Sequence, residues 1–476
     1  MHLILFAPEI LLIAGCLAVF AISLGVGRAR LAAFVTLGTA LAGLAACAAT
    51  LVCRGDLFFH AYRVDLFSQL FKLFTMLGLV AVVVFGRQLK DIRADVRPEY
   101  FLFLLLGTFG LLTLVSSIEL ITLFIALELS SYALYLLVPL RQERSGLRVQ
   151  MESAAKYVMF GIMATGVLLF GMSYLFGVAG STYFRDLAPA LARHWSDPAA
   201  VVGMTLVLAG LFFKLAAFPM QLWAPDVYQG ASNETTAFIA AVPKIGAVAV
   251  LIRFLLCATP ADHVLTAVLV IASVCSMFFG NLAALVQKDV KRMLGYSSIA
   301  HAGYVLVGLV TLHAGGYAAA SFYIFGFVVM SLGAFLVLCL VSREGENVLV
   351  DDLAGLHARS PLAALLMGAS MFALAGIPPF VGFMGKFLLL TEALRGGFVL
   401  LVVLAAINTA IGIYYYLNVV RVMYFSEPGD RPAVRLDALS AVTGVLLLAF
   451  MLLLGVLPAR LLENTLTAIQ AAVIWK

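Results

Sequence analysis

Residues 212–230 read FFKLAAFPMQLWAPDVYQG, and residues 372–390 read FALAGIPPFVGFMGKFLLL. Each stretch is apolar, carries one lysine, and is interrupted by proline: Pro219 and Pro225 in the first, Pro378 and Pro379 in the second, where Gly376, Gly382 and Gly385 lie nearby. A proline inside a helix removes a backbone hydrogen bond and clashes with the preceding turn, so both helices are expected to break there. In hydrocarbon the freed backbone groups are tolerated only where protein or a wet cavity receives them. The two stretches therefore predict a matched pair of broken membrane-spanning helices.

Around them the composition excludes a water-soluble fold. The chain of 476 residues is 63% hydrophobic and 12% charged, where a soluble domain carries roughly a quarter charged residues. Uncharged runs of about 20 residues, each able to cross roughly 30 Å of hydrocarbon, recur along almost the whole length. They place spans at approximately 3 to 24, 31 to 53, 66 to 86, 99 to 116, 118 to 140, 151 to 178, 200 to 229, 234 to 257, 262 to 285, 293 to 312, 315 to 341, 360 to 395, 396 to 424 and 436 to 457. The expected fold class is an all-α polytopic membrane protein of about 14 transmembrane helices.

The broken spans are the seventh and the twelfth, five helices apart. Five is odd, so a unit repeated at that interval must run in opposite directions across the membrane. Two inverted five-helix repeats, each containing a broken helix, are a design of transporters. The division expected is 1–98, an N-terminal three-helix segment; 99–257, the first repeat; 262–424, the second and inverted repeat; and 425–476, a C-terminal helix.

Lysine and arginine near helix ends favour the cytoplasmic side. With the N-terminus outside, about 17 basic residues, Arg28, Arg87, Arg141, Arg144 and Lys291 among them, fall in inside connections, against about 7 outside, including Arg54, Arg185 and Lys476. Both termini are thus expected on the periplasmic side. The first run lacks a basic leader and is too long for the apolar segment of a signal peptide, which reads as an uncleaved helix. The net charge of +5 carries no nucleic-acid reading. Six scattered cysteines, with no C-x-x-C and no nearby histidine at metal-ligand spacing, read as small buried residues. No Walker A loop, Rossmann fingerprint or haem-attachment motif is present. No metal, cofactor or redox centre is expected in this chain.

Six basic residues fall inside spans: Lys72, Lys156, Lys214, Lys244, Arg253 and Lys386. Lys72 and Lys156 lie near helix ends, from which a long side chain can reach the interface. Lys244, in AAVPKIGAV, is too central for that. Lys214 precedes the first break, and Lys386 follows the second. A low-dielectric surrounding penalises the charge of an amine and a nearby carboxylate rewards it, so a lysine held between the two can gain or lose a proton. Glu128, mid-span in LFIALELSSYALYLLV, is such a carboxylate; its bland alternative is a protonated carboxyl that caps a neighbouring helix. His301, in GYSSIAHAGYVLVG, titrates near pH 6.5 when unperturbed and suits a proton shuttle, or else is a neutral packing partner. Tyr296, Ser297 and Ser298 read as interhelical packing groups, and Asp226 and Glu234 as solvated loop flanks, with a proton mouth as their lesser reading. The candidate relay is Glu128, Lys214, Lys244, His301 and Lys386, joined by hydrogen-bonded water.

The stretches FKLAAFPMQLWAPDVYQGA, KRMLGYSSIAHAGY, AGIPPFVGFMGKF and YYYLNVVRVMYF resemble the antiporter-like membrane subunits of respiratory complex I, the NADH:quinone oxidoreductase, over nearly the whole chain. LELSSYALYLLV and GYSSIAHAGY are most similar to its subunit N. The resemblance implies a fourteen-helix translocase subunit of the bacterial inner membrane, which couples electron transfer from NADH to quinone to proton pumping. NADH, FMN, iron–sulfur clusters and the quinone would then belong to partner subunits of a hetero-oligomer, among them a neighbouring antiporter-like subunit and small membrane subunits. It also implies roles: Glu128 modulates Lys214, Lys244 is the central relay, and Lys386 gates exit. SNETTAFIAAVPK departs from the family pattern in its acidity. Two other readings compete: a subunit of a multisubunit sodium/proton antiporter, which looks similar through the same helices, and a structural membrane spacer whose buried charges only fix packing.

Overall fold

The structure is a computed structural model that describes residues 2–25, 27–87, 89–143, 148–195, 197–258 and 263–472; of the basic residues counted above, Arg144 and Lys476 lie outside them. The first three spans are Ala7–Ser23, Ala29–Ala49 and Leu66–Phe85. The fourth to eighth are Arg97–Ser116, Leu120–Leu137, Val149–Ala179, Pro198–Leu215 continued by Trp223–Gly230, and Asn233–Leu255. The ninth to thirteenth are His263–Ala284, Val290–Leu309, Ala314–Val341, Pro361–Ala375 continued by Val381–Arg395, and Val399–Phe425; the fourteenth is Ala438–Val456. Eleven of these helices are long and apolar enough to cross a membrane by themselves. The others are the 17-residue first helix, the polar-rich tenth, the second half of the seventh and both halves of the twelfth.

The five-span repeat shows in local detail. The fifth and tenth spans each begin on an acidic N-cap that fills an otherwise unpaired backbone N–H: Glu119 accepts from the Thr122 amide at 2.6 Å and Asp289 from the Arg292 amide at 3.0 Å. Each capping residue also bridges, backbone to backbone, to the segment after the following span, Glu119 to Tyr183 and Asp289 to Leu349. The first halves of both broken spans end in the left-handed region, at Ala216 (φ 61°) and Gly376 (φ 86°). The fold is thus a bundle of two inverted five-helix repeats, each with one broken helix.

Packing places the centre of the bundle on the eighth and eleventh spans, which pack on each other and on the third. All 23 residues of Asn233–Leu255 are buried. Outer spans instead display large apolar side chains such as Phe34, Ile271 and Leu400, the surface expected where hydrocarbon or a partner replaces water.

Three elements escape a search for long apolar runs. Gly55–Leu57 and Tyr62–Val64 form an antiparallel hairpin before the third span, with Asp56 opposite Arg63. Phe184–Arg193 is a short amphipathic helix that buries Phe184, Leu187 and Leu191. A second one, Ala459–Ala472, follows the fourteenth span and buries Thr465, Ala468, Ile469 and Ala472, so the C-terminal segment holds two helices where one is expected. Their i, i+3, i+4, i+7 apolar stripes are the signal that finds them.

Candidate functional site

In both breaks a donor from the second half-helix reaches back to carbonyls that end the first. In the seventh span the Trp223 indole Nε1 donates to the Phe213 carbonyl at 3.0 Å. In the twelfth the Lys386 ammonium does the same, at 3.1 Å to each of the Leu374 and Ala375 carbonyls. The Lys386 amine also lies 4.7 Å from the centre of the Tyr304 ring. A cation at a helix C-terminus complements its partial negative charge, so Lys386 is held by dipole and ring, and among the described residues no carboxylate pairs with it.

Lys214, two residues before the left-handed Ala216, is 4% exposed and donates to Ser130 Oγ at 3.1 Å. Ser130 in turn donates to the Leu127 carbonyl at 2.8 Å. Glu128, on the same fifth span, is half-buried and accepts a hydrogen bond of 2.6 Å from Thr165. Its charge lies within reach of Lys214, yet among the described residues no ion pair within 4.0 Å joins the two. The fifth span turns Ile121, Ile125 and Tyr132 to the exterior beside Glu128.

Lys244 occupies the centre. Pro243, just before it, removes one backbone hydrogen bond from the eighth span, and its amine, in a residue 1% exposed, donates to the Ser298 hydroxyl and, at 3.2 Å, to the Ser298 carbonyl. Tyr228 OH shares that hydroxyl at 3.0 Å. His301, one turn along the tenth span, meets Tyr323 OH at 2.6 Å through Nδ1 and Tyr416 OH at 3.0 Å through Nε2, and Tyr416 also bonds Ser297. Ser298 therefore contacts Lys244 directly and Ser297 reaches His301 through Tyr416, where the sequence suggests packing alone. Tyr228, Tyr323 and Tyr416 are neighbours of the candidate residues that sequence reading misses.

The space between Lys244, Ser298, His301 and Leu215 leaves no room for a water molecule. The candidate residues thus fall into three groups, Glu128 near Lys214, Lys244 near His301, and Lys386, that hydroxyls and tight gaps separate. A proton path along them requires side-chain movement that admits water.

Other buried charges differ in kind. Lys72, for which the sequence leaves a reach to the interface as one of two readings, is fully buried: its amine sits 2.9 Å from Glu9 Oε1 and donates to Tyr62 OH at 2.7 Å, while Tyr62 donates to the same Glu9 oxygen at 2.6 Å. A partner 63 residues upstream makes burial affordable where the sequence shows only a lysine near a helix end. Arg253, also fully buried, pairs with Asp65 at 2.8 Å. Lys156 does reach an edge, 40% exposed, and pairs with Glu152 at 2.7 Å and Asp226 at 2.8 Å. Asp226 is held as well by Arg292 at 2.6 Å, and Glu234, expected in solvent, is 3% exposed. Among the described residues no group of three His, Cys, Asp or Glu side chains could hold a metal ion.

An inverted-repeat bundle with amines buried beside its two breaks, and among the described residues without carboxylate partners within ion-pair distance, defines the class of antiporter-like membrane subunits. Residues 117–412 match the family described as NADH:quinone oxidoreductase/Mrp antiporter, TM. The chain belongs to that family. It is 51% identical to NADH-quinone oxidoreductase subunit N 2 of Opitutus terrae over 98% of both chains, and 45% identical to the protein of the same name from Solidesulfovibrio magneticus, over 98% of this chain and 97% of the relative. Among solved structures, a chain of respiratory complex I from Thermus thermophilus is 31% identical with a TM-score of 0.84, covering 96% of this chain and 98% of its own. A chain of the Mrp complex from a Dietzia species shares the fold, with a TM-score of 0.88 at 22% identity over 99% of this chain and all of its own.

Proposed function

We propose that this chain is the proton-translocating subunit N of a bacterial NADH:quinone oxidoreductase, working in a hetero-oligomer with the other membrane subunits of that complex. Full-length relatives at 51% and 45% identity carry the subunit N name, which favours this reading over a sodium/proton antiporter subunit. The complex takes electrons from NADH to quinone; NADH, FMN, iron–sulfur clusters and quinone belong to its other subunits, and this chain contributes ion movement without a redox centre of its own. It is a multi-pass protein of the inner membrane, with both termini on the periplasmic side, and its working parts divide as residues 1–98, 99–257, 262–424 and 425–476.

The observation that carries the mechanism is Lys244: a central amine, 1% exposed, bonded to Ser298 alone and without a carboxylate within 4.0 Å among the described residues. A buried charge without a counter-ion is costly, and an amine can escape that cost by releasing a proton. Glu128 biases Lys214, which hands a proton toward Lys244; His301 and its tyrosines carry it to Lys386, which releases it. Each transfer leaves the donor one proton poorer and the acceptor one richer, and water enters the gaps as side chains move. A purely structural set of buried charges is expected to be paired, as Lys72 is with Glu9.

The test is Lys244→Met in the assembled complex. NADH-driven proton translocation and coupled quinone reduction are expected to fall strongly while assembly persists. Full pumping by that variant would refute the proposal, and sodium-dependent proton exchange without NADH would favour the antiporter subunit.

A further inference from the structure

A polar cavity of about 310 Å³ opens on the face that carries the basic connections, between the ends of the third and eleventh spans and the start of the fourteenth. Its mouth holds the ion pair of Arg87 with Asp437, at 2.5 Å, with side chains 38% and 39% exposed. Its floor is Glu234, 3% exposed, in the first turn of the eighth span. A carboxylate in a first turn is favoured by the helix dipole, which accounts for its tolerance but not for a cavity that leads to it. Glu234 Oε2 is buried and has no hydrogen-bond partner among the described residues, and native structures rarely leave such an atom unsatisfied. A cavity of this volume has room for several waters, and Glu234 is among the side chains that line it.

We propose that this cavity is a proton inlet and that Glu234 is the group that takes the proton from it. The inference rests on the function proposed above. Glu234 heads the helix that bears Lys244, ten residues on, or about 15 Å along the axis. Lys291, fully buried and donating to the Ala231 carbonyl at 2.7 Å, lies within electrostatic reach of Glu234. It stands two turns before Ser298 on the tenth span. The carboxylate accepts a proton from cavity water and becomes neutral; it then releases that proton to the Lys291 amine and recovers its charge, and Tyr228 and Ser298 complete the way to Lys244. The ion pair of Arg87 with Asp437 stands where it can narrow the mouth.

The experiment compares Glu234→Gln, Glu234→Asp, Leu436→Trp and Lys244→Met in assembled complexes in inside-out vesicles, reading NADH-driven proton uptake. Glu234→Gln, which cannot carry the proton, and Leu436→Trp, which fills the cavity, are expected to lower uptake several-fold. Glu234→Asp should restore most of it, which a purely packing role would not produce. Normal uptake with Glu234→Gln while Lys244→Met is impaired overturns the inlet and leaves the proposed function standing; normal uptake with both overturns the two together. Should Glu234→Gln fail to assemble, Leu436→Trp decides, loss supporting the inlet and normal uptake overturning it.

Discussion

The two broken helices solve one problem by different means. Each ends its first half in the left-handed region and must satisfy carbonyls left free in the membrane. The seventh span assigns this to a neutral indole, Trp223, so Lys214 is left to Ser130. The twelfth assigns it to Lys386 itself, which spends two donors on the Leu374 and Ala375 carbonyls. In the first repeat closure of the break and the ionisable amine are separate; in the second they are one group. A change at Lys214 then leaves the closure of its helix intact, whereas any change at Lys386 is felt by the break.

The largest expected effect follows at Lys386. Lys386→Met should abolish pumping and also destabilise the assembled complex, since two buried carbonyls lose a donor at about 1–3 kcal/mol each; thermal inactivation checks it. Lys214→Met should lower pumping comparably while stability barely changes, because Ser130 keeps its bond to Leu127. Equal destabilisation by both variants would erase the distinction between the breaks. Trp223→Phe tests the same contrast from the other side: loss of one donor should cost about 1–3 kcal/mol while proton translocation is largely retained.

The smallest effects concern the turns. A non-glycine residue in the left-handed region costs about 1–2 kcal/mol, so Ala216→Gly should stabilise the seventh span by about that much. Gly376→Ala should do the reverse. It would also set a methyl group 3.0 Å from Lys386 Cδ and 3.3 Å from Nζ, so pumping should fall with stability at this position alone. Melting curves alongside proton uptake separate the two.

The same contrast explains what was legible in the sequence. Fourteen spans and two breaks were readable because uncharged runs of about 20 residues and interior prolines act locally. The hairpin at residues 55–64 and the helices Phe184–Arg193 and Ala459–Ala472 were not, since three-residue strands and short amphipathic stripes make no long apolar run. Lys214, Lys244 and Lys386 stood out as charges inside spans, but which of them closes a break depends on Trp223 and on carbonyls of another half-helix. Lys72 shows the limit most clearly: its partner Glu9 lies in a different span, so a lysine near a helix end looked free to reach the interface when it is sealed in an ion pair. Ser298 and Tyr416 likewise gain their meaning only from what the fold sets against them.

The central claim is that Lys244 gives up and regains a proton and does not merely hold a charge. Arginine keeps that charge and cannot release its proton in a protein. Proton translocation per NADH by the assembled Lys244→Arg complex tests the claim most directly: the account predicts a loss as deep as that of Lys244→Met, and a ratio equal to that of the unaltered enzyme would contradict it.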